Sequence, residues 1–585
     1  MKIYGKTQFH IVNALDFCIL APKPYLMKKL LPFIILFASA IVFAQYPKDY
    51  FRSPLDIPIN LSGTFGELRP NHFHSGIDIR TNNVEGLPVY AAADGYVSRI
   101  KVGIFGYGKA IYITHPNGYT SVYAHLSKYG STIEEYIKKL QYKEKNYEVE
   151  AYFYPSIFPV KKGDIIAYTG NSGGSGGPHL HFEIRDTYSE KIINPMAFGM
   201  NKLIKDDKAP EVSSVMVYPM NDSTMVNKSN APIALTLLKQ PDGTYLSNKV
   251  FTNGKVGFAV NTYDLLTNIY NKNGVYKVQT FLNGSPHFGY EFDTFAFDES
   301  KHINYFIDFK KYKLLKQRFQ KLFIKEPYSL SLVQNNKKTA GVHVKKNNSY
   351  NYKIEVSDFH GNKTIVNIPL EYKDEIITPK TVTGKYNIKA KNDYNFEFET
   401  SSVYFPPNLF YENCSINMEE KNGVLILDAN YEAMQSSMTI SFDVSKLSAE
   451  EQKKAFVAGV NGYQLEYNSS FKKGTTIAAK IKSFGKYKIA LDTVPPRVYN
   501  PNFIEGSNIS KLTTLSIFIS DALSGIESFN AYINGEWVLM EYDYKTKKLT
   551  HTISDGKVKT GTNEFKLIVT DKLNNSTTFT SNFIY

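Results

Sequence analysis

The chain has 585 residues, with 68 basic against 55 acidic side chains and a formal net charge of +13 at pH 7. At the usual size of about 100–200 residues per domain, this length excludes a single core and predicts about three to five domains. The composition is 43% hydrophobic, with 39 Phe and 43 Tyr, which excludes widespread disorder and favours strands. Because the basic residues form no long Lys/Arg block, no nucleic-acid partner is expected.

A signal peptide is predicted within residues 1–44. Two lysines precede an apolar run from Leu30 to Phe43, and small residues lead up to Ala44. These are the three parts of a secretory signal, and they make Met27 the expected true start. Since the run is shorter than the ~20 residues of a spanning helix, we expect cleavage after Ala44 and no stable transmembrane anchor. The protein is therefore expected to be exported to the periplasm, the cell envelope or the medium.

The next part of the chain predicts a mainly β domain. Residues 45–60 are interrupted by prolines and predict an extended lead-in. Residues 61–201 alternate short strand patterns with Gly and Asn turns, including a Pro-Asn-Gly hairpin signal. A helical insertion is predicted at 131–158, where Ser131 and Glu134 are spaced as a capping box. The insertion is predicted either to form a wall or lid of a cleft or to be an inert surface addition.

Three further β-rich modules are predicted at 202–370, 371–491 and 492–585. The first and the last share a sequence pattern, which suggests two β-sandwiches of immunoglobulin-like size. The shared pattern consists of an opening segment, an internal Asp, an Asn-Gly turn and a closing Asp-x-x-x-Asn segment: Asp207–Pro210, Asp264, Asn283-Gly284 and Asp358–Asn362 in one, Asp492–Pro496, Asp521, Asn534-Gly535 and Asp571–Asn575 in the other. The middle module is predicted to contain one helix, from Ser448 to Val457.

Two predicted strands carry side chains suited to catalysis. His74 and Asp78 are four residues apart, and His179 and His181 are two apart. Residues at these spacings share one face of a strand, so each strand is expected to present a polar face above an apolar one. A further histidine, His125, stands in a Tyr-Ala-His-Leu stretch. One histidine on a strand is usually a packing residue, but four with an aspartate in this pattern favour a metal site.

Two imidazoles and one carboxylate suit catalytic zinc, which takes three protein ligands and keeps a fourth position for water. The chain has no HExxH helix to supply a glutamate as the proton acceptor. The remaining imidazoles, His125 and one of His179 and His181, are therefore the candidates for that role. Spacing alone leaves open which member of the HxH pair binds the metal.

Three motifs in this order resemble the lysostaphin-type (LytM-type) zinc endopeptidases: His-x-x-x-Asp at His74–Asp78, Tyr-x-His-Leu at Tyr123–Leu126 and Gly-Pro-His-Leu-His-Phe-Glu at Gly177–Glu183. The resemblance covers roughly residues 61–200 and implies a lysostaphin-type β-sheet peptidase domain. It also implies that His74, Asp78 and His181 bind one Zn²⁺. His125 and His179 then act on the attacking water and the tetrahedral intermediate. His72 and His115 match no catalytic position, and Glu183 is expected to support the site or the strand rather than catalyse.

The resemblance implies hydrolysis of peptide bonds in peptidoglycan stems or cross-links, and peptidoglycan peptide is therefore the expected substrate. The β-modules are expected to bind a wall or envelope partner. A non-catalytic regulator that activates another wall hydrolase is the main alternative, although every expected ligand is present here. A third possibility makes residues 202–585 chiefly a surface adhesion module.

Overall fold

The computed structural model describes residues 46–267, 270–325, 328, 330–334, 340–374, 384–428 and 431–585. The predicted signal peptide lies outside these residues. The described chain is mostly β, as expected, with the peptidase-type sheet followed by several β-modules. None of its described helices has the length and apolar character that crossing a bilayer requires.

The amino-terminal domain is built on one large sheet. Its strands are β1 (Leu61–Gly63), β2 (Leu68–Arg69), β3 (His72–Phe73), β4 (Ile77–Arg80), β5 (Pro88–Tyr90), β6 (Gly95–Val102), β7 (Lys109–Thr114), β8 (Tyr119–Tyr129), β9 (Val149–Tyr152), β10 (Pro159–Val160), β11 (Ile165–Thr169), β12 (His179–Asp186) and β13 (Ile192–Ile193). Strands β2 and β3 form a separate two-stranded sheet, and along the large sheet the order is β1-β4-β12-β8-β7-β6-β10. Strand β12 therefore lies between β4 and β8, and these three strands bring the predicted site residues to one place.

Two local predictions for this domain are confirmed and two are corrected. The hairpin β7–β8 forms at the Pro-Asn-Gly signal, and a helix, α1 (Ser131–Glu144), begins where it was expected. The predicted capping box is wrong, because the N-cap is Gly130 and Glu134 instead accepts a hydrogen bond from the backbone of Tyr129 at 2.8 Å. The prediction that His74 and Asp78 lie on one strand and share its face is also wrong. Asp78 is on β4, but His74 lies in the segment between β3 and β4.

The first sandwich (residues 205–374) follows, with two sheets and short helices. Its elements are β14 (Glu211–Pro219), β15 (Ile233–Leu235), β16 (Leu237–Lys239), β17 (Tyr245–Ser247), β18 (Val250–Thr252), β19 (Lys255–Tyr263), β20 (Lys277–Leu282), β21 (Ser285–Glu291), β22 (Thr294–Phe295), α2 (Ile303–Phe306), α3 (Phe309–Leu315), β23 (Gln320–Lys321), β24 (Val333–Gln334), β25 (Val342–His343), β26 (Ser349–Ser357) and β27 (Lys363–Tyr372). Short 3-10 helices lie at Pro195–Phe198, Met200–Leu203 and Phe297–His302.

The first sandwich shares its core with the amino-terminal domain. Strand β22 pairs with β13, which extends the large sheet across the junction. Phe65 and Phe73 belong to the same buried cluster as Phe292 and Phe295, and the Phe65 and Phe295 rings lie 5.1 Å apart. One hydrophobic core therefore continues past the predicted boundary at residue 201, and the two parts are packed as a unit.

The second sandwich (residues 384–491) has its own core. Its elements are β28 (Tyr386–Ile388), β29 (Tyr394–Glu397), β30 (Ser401–Phe405), β31 (Cys414–Lys421), β32 (Val424–Asp428), β33 (Met438–Asp443), α4 (Ala449–Lys454), β34 (Ala455–Asn461), β35 (Gln464–Asn468), β36 (Ser470–Lys473), β37 (Thr476–Ile481) and β38 (Gly485–Leu491). The predicted capping box at Ser448 is confirmed. The helix ends at Lys454 rather than Val457, because the continuous apolar run after it forms the buried strand β34.

The third sandwich (residues 492–585) packs its two sheets around another separate core. Its elements are β39 (Arg497–Tyr499), β40 (Ser507–Asn508), β41 (Thr514–Ser520), β42 (Ile526–Ile533), β43 (Glu536–Val538), β44 (Glu541–Asp543), β45 (Lys548–Thr552), a 3-10 helix (Ile553–Asp555), β46 (Thr562–Asp571) and β47 (Ser576–Ile584). The Asn-Gly turns of the first and third sandwiches both form hairpins, β20–β21 and β42–β43.

The third sandwich folds back onto the amino-terminal domain. Asp555 accepts hydrogen bonds from Lys138 (2.7 Å) and Tyr142 (2.9 Å) of helix α1. Lys109 pairs with Glu541 at 3.0 Å. Lys545, in the turn between β44 and β45, donates hydrogen bonds to two backbone carbonyls of the Gly-rich loop 170–177. The predicted insertion therefore serves as a docking surface for the end of the chain.

Candidate active site

The site forms because β12 places His181 opposite the aspartate of β4 and His179 opposite Arg80, two residues along the same strand. His181 lies opposite Asp78 on β4 and opposite Ala124 on β8. Leu180 and Phe182 point to the other side of the sheet and are fully buried. This alternation of buried apolar and polar residues fixes the register, since a shift by one residue would exchange the two faces. The HxH prediction for β12 is thus realised in the structure.

A glycine allows the bend before β4 to approach β12 closely. A Cβ atom on Gly76 would lie 2.3 Å from the carbonyl oxygen of Phe182. Real side chains do not tolerate such a distance, so glycine is required here if β4 is to pair with β12. The bend that follows from this packing turns His74 towards Asp78, with Nε2 and Oδ1 separated by 3.1 Å.

Three donor atoms converge on one point. The groups of His74, Asp78 and His181 lie within 4.8 Å of one another, and each side chain is buried. His74 donates from Nδ1 to the carbonyl of Thr64 at 2.8 Å, which leaves its Nε2 lone pair facing Asp78. The Nδ1 atom of His181 lies 2.8 Å from Asp78 Oδ1. The second aspartate oxygen, Oδ2, is held by Arg69.

A buried carboxylate, Glu183, orients His181 from behind. Its Oε1 atom lies 2.8 Å from His181 Nε2 and also accepts hydrogen bonds from Ser75 and Tyr107. Arg185 contacts the other oxygen at 2.6 Å. The carboxylate receives the Nε2 proton of His181, so that Nδ1 is the nitrogen free to bind a metal. A histidine with a carboxylate behind it is the usual arrangement of a metal ligand.

The electrostatics of the cluster follow from burial and mutual contact. Burial alone would raise the pKa of Asp78, but the neighbouring imidazoles of His74, His179 and His181 hold it well below its ordinary value. Burial opposes the charged form of His181, yet its bonds to Asp78 and Glu183 raise its pKa to about 9. His181 therefore has a carboxylate at each ring nitrogen, Asp78 at Nδ1 and Glu183 at Nε2. Two nitrogens and a carboxylate oxygen in such surroundings suit Zn²⁺.

Two more histidines stand on the open side of the cluster. His125 donates from Nδ1 to the carbonyl of Ser172 at 2.9 Å, and its ring centroid lies 4.8 Å from that of His179. The Nδ1 atom of His179 lies 2.8 Å from the carbonyl of Gly177, which leaves its buried Nε2 atom without a hydrogen-bond partner, 3.4 Å from Asp78 Oδ1. Each ring thus has an Nε2 lone pair available near the donor atoms of His74, Asp78 and His181.

His125 is held in a strained, desolvated setting. Its backbone φ is +61°, a left-handed value that is uncommon for residues other than glycine. Burial, reinforced by the neighbouring His181 and His179, lowers the pKa of His125 to about 3. The imidazole is therefore neutral at pH 7 and able to accept a proton.

A cleft of about 610 Å³ opens beside these rings. Its lining is polar and includes the Gly-rich loop: Ser62, Arg69, Asp78, Arg80, Thr81, Asn82, Asn83, His125, Gly174, Ser175, Gly176, Gly177, Pro178 and His179. A Cβ on Gly176 or Gly177 would meet no atom within 4 Å, so the loop leaves room for a chain to approach. The insertion at 131–158 contributes nothing to this lining, which argues against a wall or lid.

The structure brings His74, Asp78, His125, His179 and His181 together and separates the remaining histidines of the domain. His72 is exposed and bonded to the carbonyl of Pro70. His115 is buried away from the cleft and contacts the Asp94 carbonyl and Ser121.

Sequence reasoning missed three residues that support the cluster: Arg69, which contacts Asp78, and Tyr107 and Arg185, which contact Glu183. The alternation of β12 places Glu183 and Arg185 on the same face as His181, a signal that was available in the sequence. No sequence signal indicates Arg69 or Tyr107, because both reach the site through tertiary packing.

The sheet and the histidine–carboxylate cluster define a metallopeptidase-type site. Residues 72–142 match Peptidase family M23, and residues 385–492 match the Zu5-like domain. The chain therefore contains an M23-family peptidase domain, and the resemblance inferred from the three motifs is confirmed.

Similar proteins match the same part of the chain. The chain is 32% identical over 158 residues to an uncharacterized metalloprotease of Haemophilus influenzae (26% of this chain, 27% of that protein). It is 33% identical over 138 residues to the DD-carboxypeptidase/endopeptidase Mpg of Neisseria meningitidis (23% and 25%). To the peptidoglycan DD-endopeptidase ShyC of Vibrio cholerae it is 29% identical over 144 residues (23% and 27%). The chain thus spans about a quarter of the length of these relatives.

Among solved structures, the catalytic domain of lysostaphin from Staphylococcus simulans is 27% identical. The alignment covers 26% of this chain and 91% of that domain, with a TM-score of 0.16.

Proposed function

We propose that this protein is an exported zinc-dependent endopeptidase that hydrolyses peptide bonds in peptidoglycan stems or cross-links. The observation that carries the proposal is the convergence of His74, Asp78 and His181 beside two histidines with free Nε2 atoms. The relatives named as DD-endopeptidases support peptidoglycan peptide as the substrate. Export to the periplasm or cell envelope would bring the enzyme to that polymer.

In this proposal His74 Nε2, Asp78 Oδ1 and His181 Nδ1 hold the zinc. Bound zinc supplies Lewis acidity, which polarises the scissile carbonyl and lowers the pKa of water. The second nitrogen of each histidine is already bonded, to Thr64 or Glu183, so both rings are preorganised as ligands.

The protein's own proton transfers fall to His125 and His179. The neutral Nε2 of one ring accepts a proton from the attacking water, because its Nδ1 is fixed by a backbone carbonyl. The other ring stabilises the developing oxyanion or protonates the leaving amine. The extended substrate lies along the Gly-rich loop, where the absence of side chains at Gly176 and Gly177 admits its backbone.

The test is mass spectrometry of muropeptides released from purified sacculi by the protein and by matched variants. We expect cross-linked dimers to fall to monomers with the parent protein and with His72→Ala, since His72 is exposed and lies outside the site. His181→Ala should lose both zinc and activity. His125→Ala and His179→Ala should keep zinc and lose at least 100-fold in rate, the usual contribution of a general acid or base being about 10²–10⁴-fold.

If the parent binds zinc and cuts no muropeptide, the endopeptidase proposal is wrong. Addition of wall hydrolases to such an inactive protein would then test the regulator alternative directly.

A further inference from the structure

The first and third sandwiches contain the same pair of hydrogen bonds from an asparagine to an aspartate side chain. In the first, Asp358 Oδ1 accepts from the backbone N–H of Asn362 at 2.9 Å, and its Oδ2 accepts from the Asn362 side chain at 2.7 Å. In the third, Asp571 makes both bonds to Asn575, at 2.8 and 2.7 Å. Each asparagine also donates to the backbone carbonyl of an aspartate that opens the module.

That opening aspartate is Asp206 in the first sandwich and Asp492 in the third. Each aspartate stands four residues before a proline, Pro210 or Pro496. The backbone carbonyl of that proline accepts a hydrogen bond at 2.5 Å from a threonine of the closing strand, Thr364 or Thr577. The sequence repeat was therefore placed one residue too late, since Asp206 rather than Asp207 corresponds to Asp492. Two carboxylates thus meet at the same point in each module.

In the first sandwich a histidine joins the pair. Donor atoms of Asp206, Asp358 and His360 lie within 4.8 Å of one another. The Nε2 atom of His360 lies 3.1 Å from the carbonyls of Asn201 and Ile204. Because carbonyls only accept, Nε2 carries the proton and Nδ1 presents a lone pair, 3.8 Å from Asp206 Oδ2. The third sandwich has leucine at the corresponding position, 573, so the imidazole is specific to the first.

A further carboxylate, outside this group of three, faces the same cavity. Asp264 is 3% exposed, and its Oδ1 atom accepts no hydrogen bond. The Oδ2 atom of Asp206 is likewise buried without a hydrogen bond. Both residues, with Asp358 and His360, line a small cavity of about 30 Å³. That volume is enough for one water molecule or one ion.

Little positive charge lies close to the carboxylates of this cavity, because Lys208 acts on Asp264 without forming an ion pair. Within the described ranges, no lysine or arginine forms an ion pair with Asp206, Asp264 or Asp358. Burial and the two neighbouring carboxylates raise the pKa of Asp264 to about 8, and burial raises that of Asp206. Buried carboxylates that repel one another take up either protons or a cation.

We propose that the first sandwich binds one divalent cation of the Mn²⁺ or Zn²⁺ type through Asp206, Asp358 and His360 Nδ1, with the Asp264 carboxylate facing the ion in the same cavity. The mixed carboxylate and imidazole donors suit these ions better than Ca²⁺, which prefers oxygen alone. The cavity is also lined by Thr64 and Asn194 of the peptidase domain. The ion would therefore stiffen the junction behind the catalytic cluster, where Thr64 already holds His74.

The test separates this site from the catalytic one. A full-length variant with His74→Ala and His181→Ala has lost two proposed catalytic ligands, and a stoichiometric cation that this background binds only with Asp264 and His360 intact lies outside the catalytic cluster. We expect this variant to bind one Mn²⁺ per chain by electron paramagnetic resonance, with a rise in its melting temperature. Zn²⁺ should compete for the same site.

Two isosteric changes are added to that background. Asp264→Asn and His360→Gln should each weaken Mn²⁺ binding at least ten-fold, while the side-chain amide introduced by His360→Gln keeps a donor for the Asn201 and Ile204 carbonyls. Asp207→Asn, at the exposed neighbouring aspartate, is the matched control and should change nothing. Above pH 8, where Asp264 is ionised, Asp264→Asn should also raise the metal-free melting temperature because it removes a buried charge, and this shows that the variant folds.

The proposal is overturned if the double variant takes up neither Mn²⁺ nor Zn²⁺, or if Asp264→Asn binds as tightly as its parent. Stabilisation on lowering the pH from 8 to 5, with no response to either cation, would show instead that the carboxylates share protons. None of these readouts depends on peptidase activity.

Discussion

Replacement of Glu183 by glutamine tests whether the carboxylate behind His181 tunes the metal site. Glu183 is fully buried and accepts hydrogen bonds from His181, Ser75, Tyr107 and Arg185. Glutamine keeps the shape but removes the charge, so the Nε2–H group of His181 would face a neutral amide oxygen, a weaker acceptor than the carboxylate. Loss of such a partner usually lowers metal affinity by about 10–100-fold. That range corresponds to about 1.4–2.7 kcal/mol of binding free energy.

The same change removes the negatively charged partner of the buried Arg185 guanidinium. Breaking a buried ion pair costs about 3–5 kcal/mol, and we expect the lower end because Arg185 also contacts Glu190 at 3.1 Å. Zinc affinity is measured by competition with a chromophoric chelator, and the free energy of unfolding by urea denaturation of the metal-free protein. Glu190→Gln is the matched control: it has the same chemistry and the same partner, but the Glu190 side chain is 64% exposed. It should cost at most about 1 kcal/mol and leave zinc binding unchanged.

A folded Glu183→Gln protein that binds zinc as tightly as the parent would refute this reasoning. The carboxylate would then serve only the packing of Arg185, and the orientation of His181 would have another origin.

Two further predictions concern the surroundings of the site. Lys545→Ala removes the hydrogen bonds from the third sandwich to the Gly-rich loop. It should raise the KM for muropeptides about five-fold, the equivalent of about 1 kcal/mol, and leave kcat unchanged. Lys566→Ala, at an exposed lysine, is the control, and an unchanged KM in Lys545→Ala would show that the loop needs no anchor. His115 has a pKa lowered to about 4 by burial, below the unfolded value of 6.5. Above pH 6.5 the imidazole is neutral in both states, and its burial costs no stability through protonation. As the pH falls towards 4, the unfolded chain binds the proton more readily than the folded protein, which lowers the free energy of unfolding by about 2 kcal/mol at pH 5. Urea denaturation of the metal-free protein at pH 7.5 and 5 should show this loss in the parent and about 2 kcal/mol less of it in His115→Gln; equal losses would contradict it.

Much of the candidate site could be predicted because its signals are local. The alternation in His179–Asp186 fixes a strand with both histidines on one face, and a Pro-Asn-Gly turn fixes the hairpin β7–β8. The fold class followed from the same short-range patterns. The roles of His125 and His179, and the boundaries of the modules, stay predictions.

The features that sequence reasoning missed depend on packing between distant segments. The bend at His74 arises from the contact of Gly76 with Phe182, which periodicity within one strand does not contain. The partners of Glu183 include Tyr107, far away in the chain. The choice between Asp206 and Asp207 was also decided by contacts, since only a hydrogen bond with Asn362 identifies the equivalent residue. Local patterns establish strands and faces, whereas supporting networks require the assembled fold.

The contact between Lys545 and the Gly-rich loop has a consequence for biosynthesis. Lys545 and Asn171 are separated by 374 residues, and the ribosome makes the amino-terminal domain long before the third sandwich exists. The rim of the cleft therefore reaches its final arrangement only after the last module has been made and folded. A nascent or truncated chain would carry every proposed metal ligand and still have an unanchored rim, so the order of synthesis itself delays completion of the cleft until the whole protein is present.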